Sequence, residues 1–236
     1  MKTSFRNIIK KIPLVRIIYN SVFVRLFKLL NKKYFLINFM DVKFNLDIQE
    51  PIDKSIILFD YYENEQLRLT IELITKYKVN IFFDIGAHCG IYTLIMANKF
   101  DNLIIHSFEP INFSFKRLKN NILLNKRNKN INTYSYGLSS SNRTLRMKGY
   151  NKDNYIQLGG FGVINKKDKL KNNFITEAEF KKGDDYFNFK NQIIFLKIDV
   201  EGHELDVLNG LEKLLNSNKI IIQIEIFADK YAFVKK

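Results

Sequence analysis

Three acidic residues of this sequence each stand at the end of an apolar run, where a carboxylate can take part in chemistry. They are Asp84, Glu109 and Asp199. Apolar runs of this length are typical of buried strands in a parallel α/β sheet. Ligands of such sheets bind beyond the carboxyl ends of the strands, near the point where the strand order reverses. We therefore expect the three carboxylates to meet at one ligand site.

The first of these acids leads directly into a glycine turn. Gly86 and Gly90 have three residues between them, and residues 91–97 then read as the first turns of a helix. Because glycine has no Cβ atom, the backbone can bend sharply there and a ligand can come close. The free N–H groups at the start of the helix suit an anionic or carboxylate-bearing ligand. The stretch predicts a nucleotide-type binding turn.

The spacing of these residues indicates which nucleotide binds. Asp84 and Glu109 lie 25 residues apart, the length of one βαβ unit. A carboxylate that ends the second strand can accept both hydroxyls of a ribose, which favours S-adenosylmethionine (SAM) or NAD. The turn is not the Gly-x-Gly-x-x-Gly that carries a pyrophosphate, and an acid just before it opposes phosphates and suits an ammonium group. We therefore prefer SAM to NAD.

Strand and helix patterns alternate around these residues, which predicts a doubly wound, mainly parallel α/β sheet. Strands are predicted at residues 81–84, 103–108, 131–136, 193–199 and 219–227, with helices at 91–99, 113–125 and up to about residue 215. The segment at 137–190 is rich in Ser, Asn, Lys and Gly and predicts a hairpin or insertion that covers one end of the sheet. We expect this segment to bind the second substrate.

The patterns before residue 81 are shorter. Period-two alternation at residues 42–48 predicts a half-exposed strand. Residues 56–59 predict a second short strand or a buried turn. Asp60 is expected to cap a helix that runs from Tyr61 to Lys78.

The composition limits the classes of protein to consider. The chain has 236 residues, of which 46% are hydrophobic, and a formal net charge of +14. This basic balance indicates an anionic surface or acidic substrates, or else a codon bias toward lysine. The single cysteine, Cys89, excludes an internal disulfide, and with three scattered histidines it makes no zinc site.

The N-terminal residues differ from the rest. Basic and apolar residues fill the stretch up to Phe39, and no acidic residue precedes Asp41. A basic amphipathic segment can lie in the membrane interface, or it can pack its apolar stripe on the domain. The charge-free run Ile17–Val24 is too short to span a bilayer, and no cleavage-site pattern follows an apolar core, so no secretory signal peptide is expected.

We therefore predict two parts, a basic amphipathic segment at residues 1–40 and a SAM-binding domain at residues 41–236. The protein is expected in the cytoplasm, peripheral to the inner face of the membrane through residues 1–39. The chain stops about nine residues after the last predicted strand, where folds of this kind add a further strand pair. The domain is expected to lack that pair unless N-terminal strands replace it.

Several blocks of the sequence together resemble the FkbM family of SAM-dependent methyltransferases. They are Phe83–Gly90, Phe108–Pro110, Asn120–Asn125, Gly137–Ser139 and Leu196–Glu204. The resemblance covers about residues 60–227, and the last block is its most specific part. It implies the class I methyltransferase fold, Rossmann-like with helices on both faces of the sheet. It also implies O-methylation of a hydroxyl on a sugar, glycan or related metabolite.

The resemblance also assigns the cofactor site. Asp84, Gly86 and Gly90 would hold the methionine end of SAM, and Glu109 its ribose. The remaining members of the predicted cofactor site are the neighbours of these residues, namely Ala87, His88 and Pro110.

Two departures from the family pattern stand out. The family usually has Asn at the position of His88. It commonly has an acid that helps to read adenine after the Leu-Ser pair, where this chain has Ser140, Ser141 and Asn142.

Methyl transfer to a hydroxyl requires alignment of the reacting atoms and a group that takes the proton. Asp199, Glu201 and His203 are the candidate catalytic residues. An imidazole suits the role of base, so His203 is one candidate. The alternative is that His203 and Glu204 only begin the next helix. A divalent ion held by Asp199 and Glu201 is a further alternative, although no metal is included in the predicted site.

Two other classes of function stay open. One is a basic RNA- or membrane-binding module, either an RNA methyltransferase or a methyltransferase-like domain without catalysis. Its phosphate contacts would come from basic residues in two clusters, Lys126, Arg127 and Lys129 with Arg143, Arg146 and Lys148. Nucleic acid is disfavoured, because no Asn-Pro-Pro-Tyr-like motif follows the fourth strand. The other class is an NAD-dependent enzyme, which the glycine spacing disfavours.

Overall fold

The computed structural model describes residues 22, 25–27, 29–30, 32–126, 129–152, 155–157, 159–164 and 173–226. The chain divides into two units, Met1–Glu65 and Gln66–Lys236. Most of the predicted basic segment lies outside the described residues, so its amphipathic character stays a prediction. Among the helices that the structure describes, none is long and apolar enough to cross a membrane.

The first unit contains a β-hairpin followed by a helix. Strands β1 (Tyr34–Phe39) and β2 (Val42–Asp47) pair antiparallel around Met40 and Asp41. Both turn residues have positive φ, 48° and 64°, as a two-residue hairpin turn requires. The predicted strand at residues 42–48 is confirmed, and the end of the predicted N-terminal segment forms its partner.

The prediction of a short strand or buried turn at residues 56–59 is wrong, because these residues lie in helix α1 (Pro51–Phe59). Four consecutive apolar residues fit a strand or a buried helix equally well. The signals that decide are Pro51 at the first helical position and Asp53 in the first turn, whose carboxylate accepts the Asp47 N–H at 2.7 Å. Asp60 does not cap the next helix; it ends α1 in the left-handed conformation with φ 53°.

The second unit is built on a five-stranded parallel sheet. Its strands are β3 (Ile81–Ile85), β4 (Ile104–Phe108), β5 (Ile131–Tyr134), β11 (Ile193–Ile198) and β12 (Lys219–Ile224). Their spatial order is β12-β11-β3-β4-β5, and every neighbouring pair is parallel. The predicted doubly wound α/β fold is confirmed, with the order reversing at β3. Because crossovers between parallel strands are nearly always right-handed, the connections on the two sides of β3 are expected to place helices on opposite faces of the sheet.

Helices connect these strands. They are α2 (Asn64–Tyr77), α3 (Ile91–Lys99), α4 (Asn112–Leu123), α5 (Glu204–Gly210) and α6 (Glu212–Ser217). The single helix predicted up to residue 215 is therefore two, since α5 ends at Gly210 and Leu211 stands between them. Phe227, the predicted end of the last strand, lies outside the described residues.

The described residues between 137 and 182 form a second sheet, which fits the predicted hairpin or insertion. Its strands are β6 (Gly137–Ser139), β7 (Arg143–Lys152), β8 (Tyr155–Ile156), β9 (Gly162–Val163) and β10 (Asn173–Lys182). The long strands β7 and β10 pair antiparallel along most of their length. Ile111, which follows Pro110 of the predicted cofactor site, packs in the same apolar cluster as Met147, Phe161 and Phe180 of this sheet. The second sheet thus packs next to the end of β4.

Two further residues, His106 and Cys89, are buried and serve in packing. His106 of β4 stacks on Tyr134, and its Nδ1 lies 2.9 Å from the Tyr134 hydroxyl. Burial lowers the pKa of His106 to about 4, so its ring stays neutral and packs like an aromatic side chain. Cys89 is fully buried, as expected of a small core residue.

Candidate active site

The carboxyl ends of β3, β4 and β11 form one backbone unit. The amides of Gly86 and Ala87 both donate to the Phe108 carbonyl, at 3.0 and 2.9 Å. On the other side, the Asp199 amide donates to the Ile85 carbonyl at 3.0 Å. The glycine turn therefore lies between the ends of the two neighbouring strands, as expected at a switch in strand order.

The structure gives a reason for glycine at positions 86 and 90 that the sequence did not reveal. Both have a φ that favours glycine, +88° at Gly86 and +90° at Gly90. A Cβ atom on Gly86 would lie 1.9 Å from the Asp199 carbonyl oxygen, and one on Gly90 would lie 2.5 Å from Leu118 Cδ1. Protein atoms fill these spaces. The glycines allow strand β11 and helix α4 to approach the turn, rather than a ligand.

Asp84 is a buried acid with one oxygen satisfied. Its Oδ2 accepts hydrogen bonds from the Thr93 amide at 3.0 Å and the Thr93 hydroxyl at 2.6 Å. Within the described residues, its buried Oδ1 has no hydrogen-bond partner. Burial raises the pKa of Asp84, while the Lys197 charge and the Thr93 bonds act in the opposite direction. A buried carboxylate oxygen without a donor is costly, so Oδ1 is ready to accept a bond from a cationic ligand.

Glu109 connects the end of β4 to the glycine turn. Its Oε2 accepts the His88 amide and its Oε1 the Ile111 amide, each at 2.8 Å. Burial raises the pKa of Glu109 to about 7, and the charges of Asp84 and Asp199 act in the same direction. Each carboxylate oxygen has two lone pairs, so both can accept a further hydrogen bond from a ligand. Pro110, the next predicted site residue, is half-buried directly after Glu109.

His88 lies in the turn in the left-handed conformation, with φ 50°. Its Nε2 is buried and has no hydrogen-bond partner among the residues described. Burial and the nearby Arg117 charge lower the pKa of His88 to about 3, so the ring is neutral at pH 7. The charge of Asp199 acts on it in the opposite direction, which places His88 near the end of β11 as well as β4.

Asp199 extends from the end of β11 with its carboxylate held by a lysine of the same strand. Lys197 Nζ lies 2.9 Å from Asp199 Oδ2. The Asp199 side chain is 23% exposed, whereas that of Lys197 is only 7% exposed. Asp199 is therefore the acid of the cluster that remains accessible to a second substrate.

Glu201 and Gly202 form the turn after β11. Both have positive φ, 54° and 98°, which is costly for a glutamate. The segment at residues 159–164 packs against this turn: an added Cβ on Gly162 would lie 3.0 Å from the Glu201 carbonyl, and one on Gly160 would lie 3.6 Å from Glu201 Oε1. The second sheet thus supplies a wall next to Glu201.

His203 takes part in a different group of contacts. Its Nε2 lies 3.0 Å from Ser139 Oγ, its Nδ1 lies 3.6 Å from Asp206, and its ring packs edge-on to Phe180. Burial lowers the pKa of His203. These contacts join helix α5 to the second sheet. The structure thus brings Asp84, Glu109, His88 and Asp199 together, whereas the contacts of His203 lie elsewhere.

Comparison with known proteins identifies the family. Residues 84–235, well over half of the chain, match the family described as the methyltransferase FkbM domain. The chain belongs to the FkbM methyltransferase family. The predicted resemblance is thereby confirmed, and the α/β fold described above is the methyltransferase fold that it implied.

Curated relatives of this FkbM domain are distant. A protein named methyltransferase 1 from Beauveria bassiana is 26% identical over 187 residues, covering 65% of this chain and 72% of the relative. The hexuronic acid methyltransferase AglP of Haloferax volcanii is 26% identical over 168 residues, covering 71% of this chain and 64% of the relative. A solved methyltransferase FkbM from Methylobacillus flagellatus is 15% identical with a TM-score of 0.42, over 62% of this chain and 32% of that chain.

The two departures from the FkbM pattern have structural explanations. His88 stands where the family usually has Asn; both residue types tolerate the left-handed conformation that the turn imposes. Ser140 and Asn142 stand where an acid is common. Ser140 Oγ donates to Asp206 at 2.6 Å and Asn142 Nδ2 to Asp185 at 2.9 Å, so both side chains bond within the protein.

Two residues of the candidate site were not among those predicted from the sequence. Thr93 binds Asp84 with its amide and its hydroxyl. The signal for it is weak, because a threonine in the first turn of a helix is common. The signal for Lys197 is stronger and could have identified it, since it is a charged residue inside an apolar strand. Within the described residues, no group of three or more His, Cys, Asp or Glu side chains is arranged to hold a metal ion.

Proposed function

We propose that this protein transfers the methyl group of SAM to a hydroxyl oxygen of a sugar, a glycan or a related metabolite. The observation that carries the proposal is the arrangement of Asp84 and Glu109. They are buried acids on neighbouring strands, joined through one glycine turn, and Asp84 Oδ1 has no hydrogen-bond partner among the described residues. Such a site suits a ligand with a cationic end and a ribose, and the family membership supports this reading.

The residues present fit SAM. Asp84 Oδ1 would accept a hydrogen bond from the ammonium of its methionine end, and the carboxylate of Glu109 would accept from the ribose hydroxyls. Gly86, Ala87 and Gly90 shape the turn beneath it, and neutral His88 and Pro110 line the same turn. SAM supplies a methyl group on a sulfonium, which is ready for attack by an oxygen nucleophile.

We assign the role of base to Asp199. SAM would supply the methyl group to the acceptor hydroxyl, and the Asp199 carboxylate would accept the proton that this hydroxyl loses. Asp199 is favoured because it is partly exposed and lies with the cofactor-site acids. Glu201, beside the segment at residues 159–164, is assigned to the wall of the acceptor site. His203 is assigned to the junction of α5 with the second sheet.

A sugar acid is the acceptor class to test first. One relative is named a hexuronic acid methyltransferase. The net charge of +14 also favours an anionic acceptor.

Calorimetry with SAM, NAD and a short RNA tests the cofactor. We expect the protein to bind SAM and neither of the other two ligands. The proposal would be contradicted if the protein bound NAD or RNA but did not bind SAM at millimolar concentration. Transfer of labelled methyl from SAM to a panel of uronic acids, their neutral sugars and the matching methyl esters tests the acceptor. We expect uptake on the acids; uptake on the neutral sugars alone would reject the anionic class.

The cellular location is a separate proposal that rests on the sequence. We propose a cytoplasmic protein that associates with anionic membrane through residues 1–39. Deletion of residues 1–31 leaves strand β1 in place, and it should lower sedimentation with phosphatidylserine vesicles without a change in SAM affinity. Unchanged sedimentation would favour packing of the segment on the domain instead.

A further inference from the structure

Lys197 occupies an unusual place for a lysine, one residue before the carboxyl end of a buried parallel strand. It is 5% exposed. In the register of the sheet it lies opposite Asp84 of β3 on one side and Gln223 of β12 on the other. Buried lysines are rare unless they are paired, so the position indicates a specific task.

The contacts of the Lys197 ammonium hold it between the strand and helix α3. Nζ lies 2.9 Å from Asp199 Oδ2 and 4.7 Å from the centre of the Tyr92 ring. Tyr92 is itself held, because its hydroxyl accepts a hydrogen bond from Gln223 Nε2 at 3.1 Å. An ammonium over an aromatic ring and beside a carboxylate has a fixed position.

The charges around Lys197 are mainly negative. Asp84 faces it from β3, Asp199 lies on its own strand, and Glu109 at the end of β4 is close enough to respond to both acids. Each carboxylate would oppose ionisation of the others if no cation lay among them. Lys197 lowers the pKa of Asp84 and so works against the effect of burial.

We propose that Lys197 is a positioning residue for methyl transfer, which aims the Asp199 carboxylate toward the acceptor and holds a positive charge opposite Asp84, the acid proposed to bind the cofactor. The role of Lys197 in aiming Asp199 rests on the proposed function, whereas its effect on Asp84 does not. The charge on Asp84 can be measured in the protein without cofactor. Lys197 contacts neither reacting atom, and it acts through the two acids.

The test compares Lys197→Met with Lys197→Arg and with a matched control, Lys219→Met. Lys219 lies on the adjacent strand β12 and also sits over a tyrosine ring, Tyr77, at 5.3 Å, but it is exposed. Carbon-13 NMR of labelled aspartate follows the titration of Asp84 in the cofactor-free protein. We expect Lys197→Met to raise the Asp84 midpoint, since loss of a nearby positive charge favours the protonated carboxyl.

Measurements of SAM affinity and of kcat distinguish the effect of Lys197 on Asp84 from its effect on Asp199. Lys197→Met should weaken SAM binding, and the loss should grow as the pH falls, because protonated Asp84 no longer offers a charged acceptor to the ammonium group. Lys197→Arg retains the charge, so the Asp84 midpoint and SAM affinity should recover, while kcat stays low because the planar guanidinium does not reproduce the lysine geometry. Lys219→Met should match the wild type in all three measurements.

If the Asp84 midpoint is unchanged in folded Lys197→Met, Lys197 does not influence the charge of Asp84. If Lys197→Arg has the kcat of the wild type, Lys197 does not aim the Asp199 carboxylate. If Lys197→Met does not fold, Lys197→Gln replaces it, because its amide can still bond to Asp199 without a charge. Failure of the wild type to bind SAM would reject the proposed function. The Asp84 titration would still decide the role of Lys197.

Discussion

The backbone carbonyl oxygen of Asp199 fills the space that a side chain on Gly86 would need, 1.9 Å from the position of an added Cβ atom. The two most recognisable blocks of the sequence therefore touch through their backbones. The glycine turn, which predicted a nucleotide site, also fixes the position of the Asp199 backbone, and Asp199 is the proposed base.

The contact predicts a severe effect of Gly86→Ala. The new Cβ would meet a backbone atom that cannot move alone, and φ of +88° adds strain. We expect a loss of about 3 kcal/mol or more in the free energy of unfolding, together with loss of SAM binding. Urea denaturation and calorimetry provide the measurements.

Gly160→Ala is the matched control for this change. Gly160 has a similar φ of +84°, but the nearest atom to an added Cβ is Glu201 Oε1 at 3.6 Å. Its cost should be that of the backbone strain alone, about 1 kcal/mol. Equal losses in the two variants would show that strain, and not the contact with Asp199, makes Gly86 necessary.

Glu109 predicts a dependence of stability on pH in the cofactor-free protein. Its pKa is raised to about 7 from 4.5, so the folded state holds a proton between these pH values that the unfolded state has lost. The free energy of unfolding should therefore fall as pH rises from about 4.5 to 7, by up to about 3 kcal/mol from this group.

Glu109→Gln removes this contribution, so its stability should vary less over the same pH range than that of the wild type. Urea denaturation at pH 5, 6 and 7.5 measures the difference. Glu179→Gln, at an exposed position on β10, should keep the wild-type slope. An identical slope in Glu109→Gln would mean that Glu109 titrates as an ordinary glutamate.

Asp84→Asn tests the acid that the proposed cofactor site requires. The amide keeps the size of the side chain and still offers an oxygen to Thr93, so the fold should persist. SAM affinity should fall at least about a hundredfold, because a charge-assisted bond is lost. Asp53→Asn is the control, since Asp53 is also buried and also accepts a backbone N–H, in the first unit. Retained SAM affinity in Asp84→Asn would reject the assigned role.

His203→Ala and Asp199→Asn distinguish the two candidate bases. His203→Ala should cost about 1–3 kcal/mol of stability, because it removes one of the partners of the Ser139 hydroxyl and the ring contact with Phe180, and it should leave the pH profile of kcat unchanged. Asp199→Asn should abolish turnover in a folded protein that still binds SAM. Turnover lost in His203→Ala at temperatures where the variant is folded would return the role of base to the histidine.

Much of the fold was predictable because its signals are local. The apolar run ending at Asp84, the glycines at 86 and 90 and the helix after them lie within 19 residues, and the period of apolar residues indicates strand or helix directly. The parallel α/β class followed from the alternation of such segments. The same local reasoning failed at residues 56–59, where four apolar residues fit a strand or a buried helix.

The site itself needed the tertiary structure. The sequence determined the residue types at the strand ends, and with them the prediction of a ribose-bearing, cationic ligand. It did not determine that Lys197 faces Asp84, or that His203 bonds to Ser139, because these pairs depend on strand order and register. Order and register are set by packing between segments up to 113 residues apart in the chain, as in the pairing of Asp84 with Lys197. No local pattern records such packing, which is why only the fold decided which charged residues share the site.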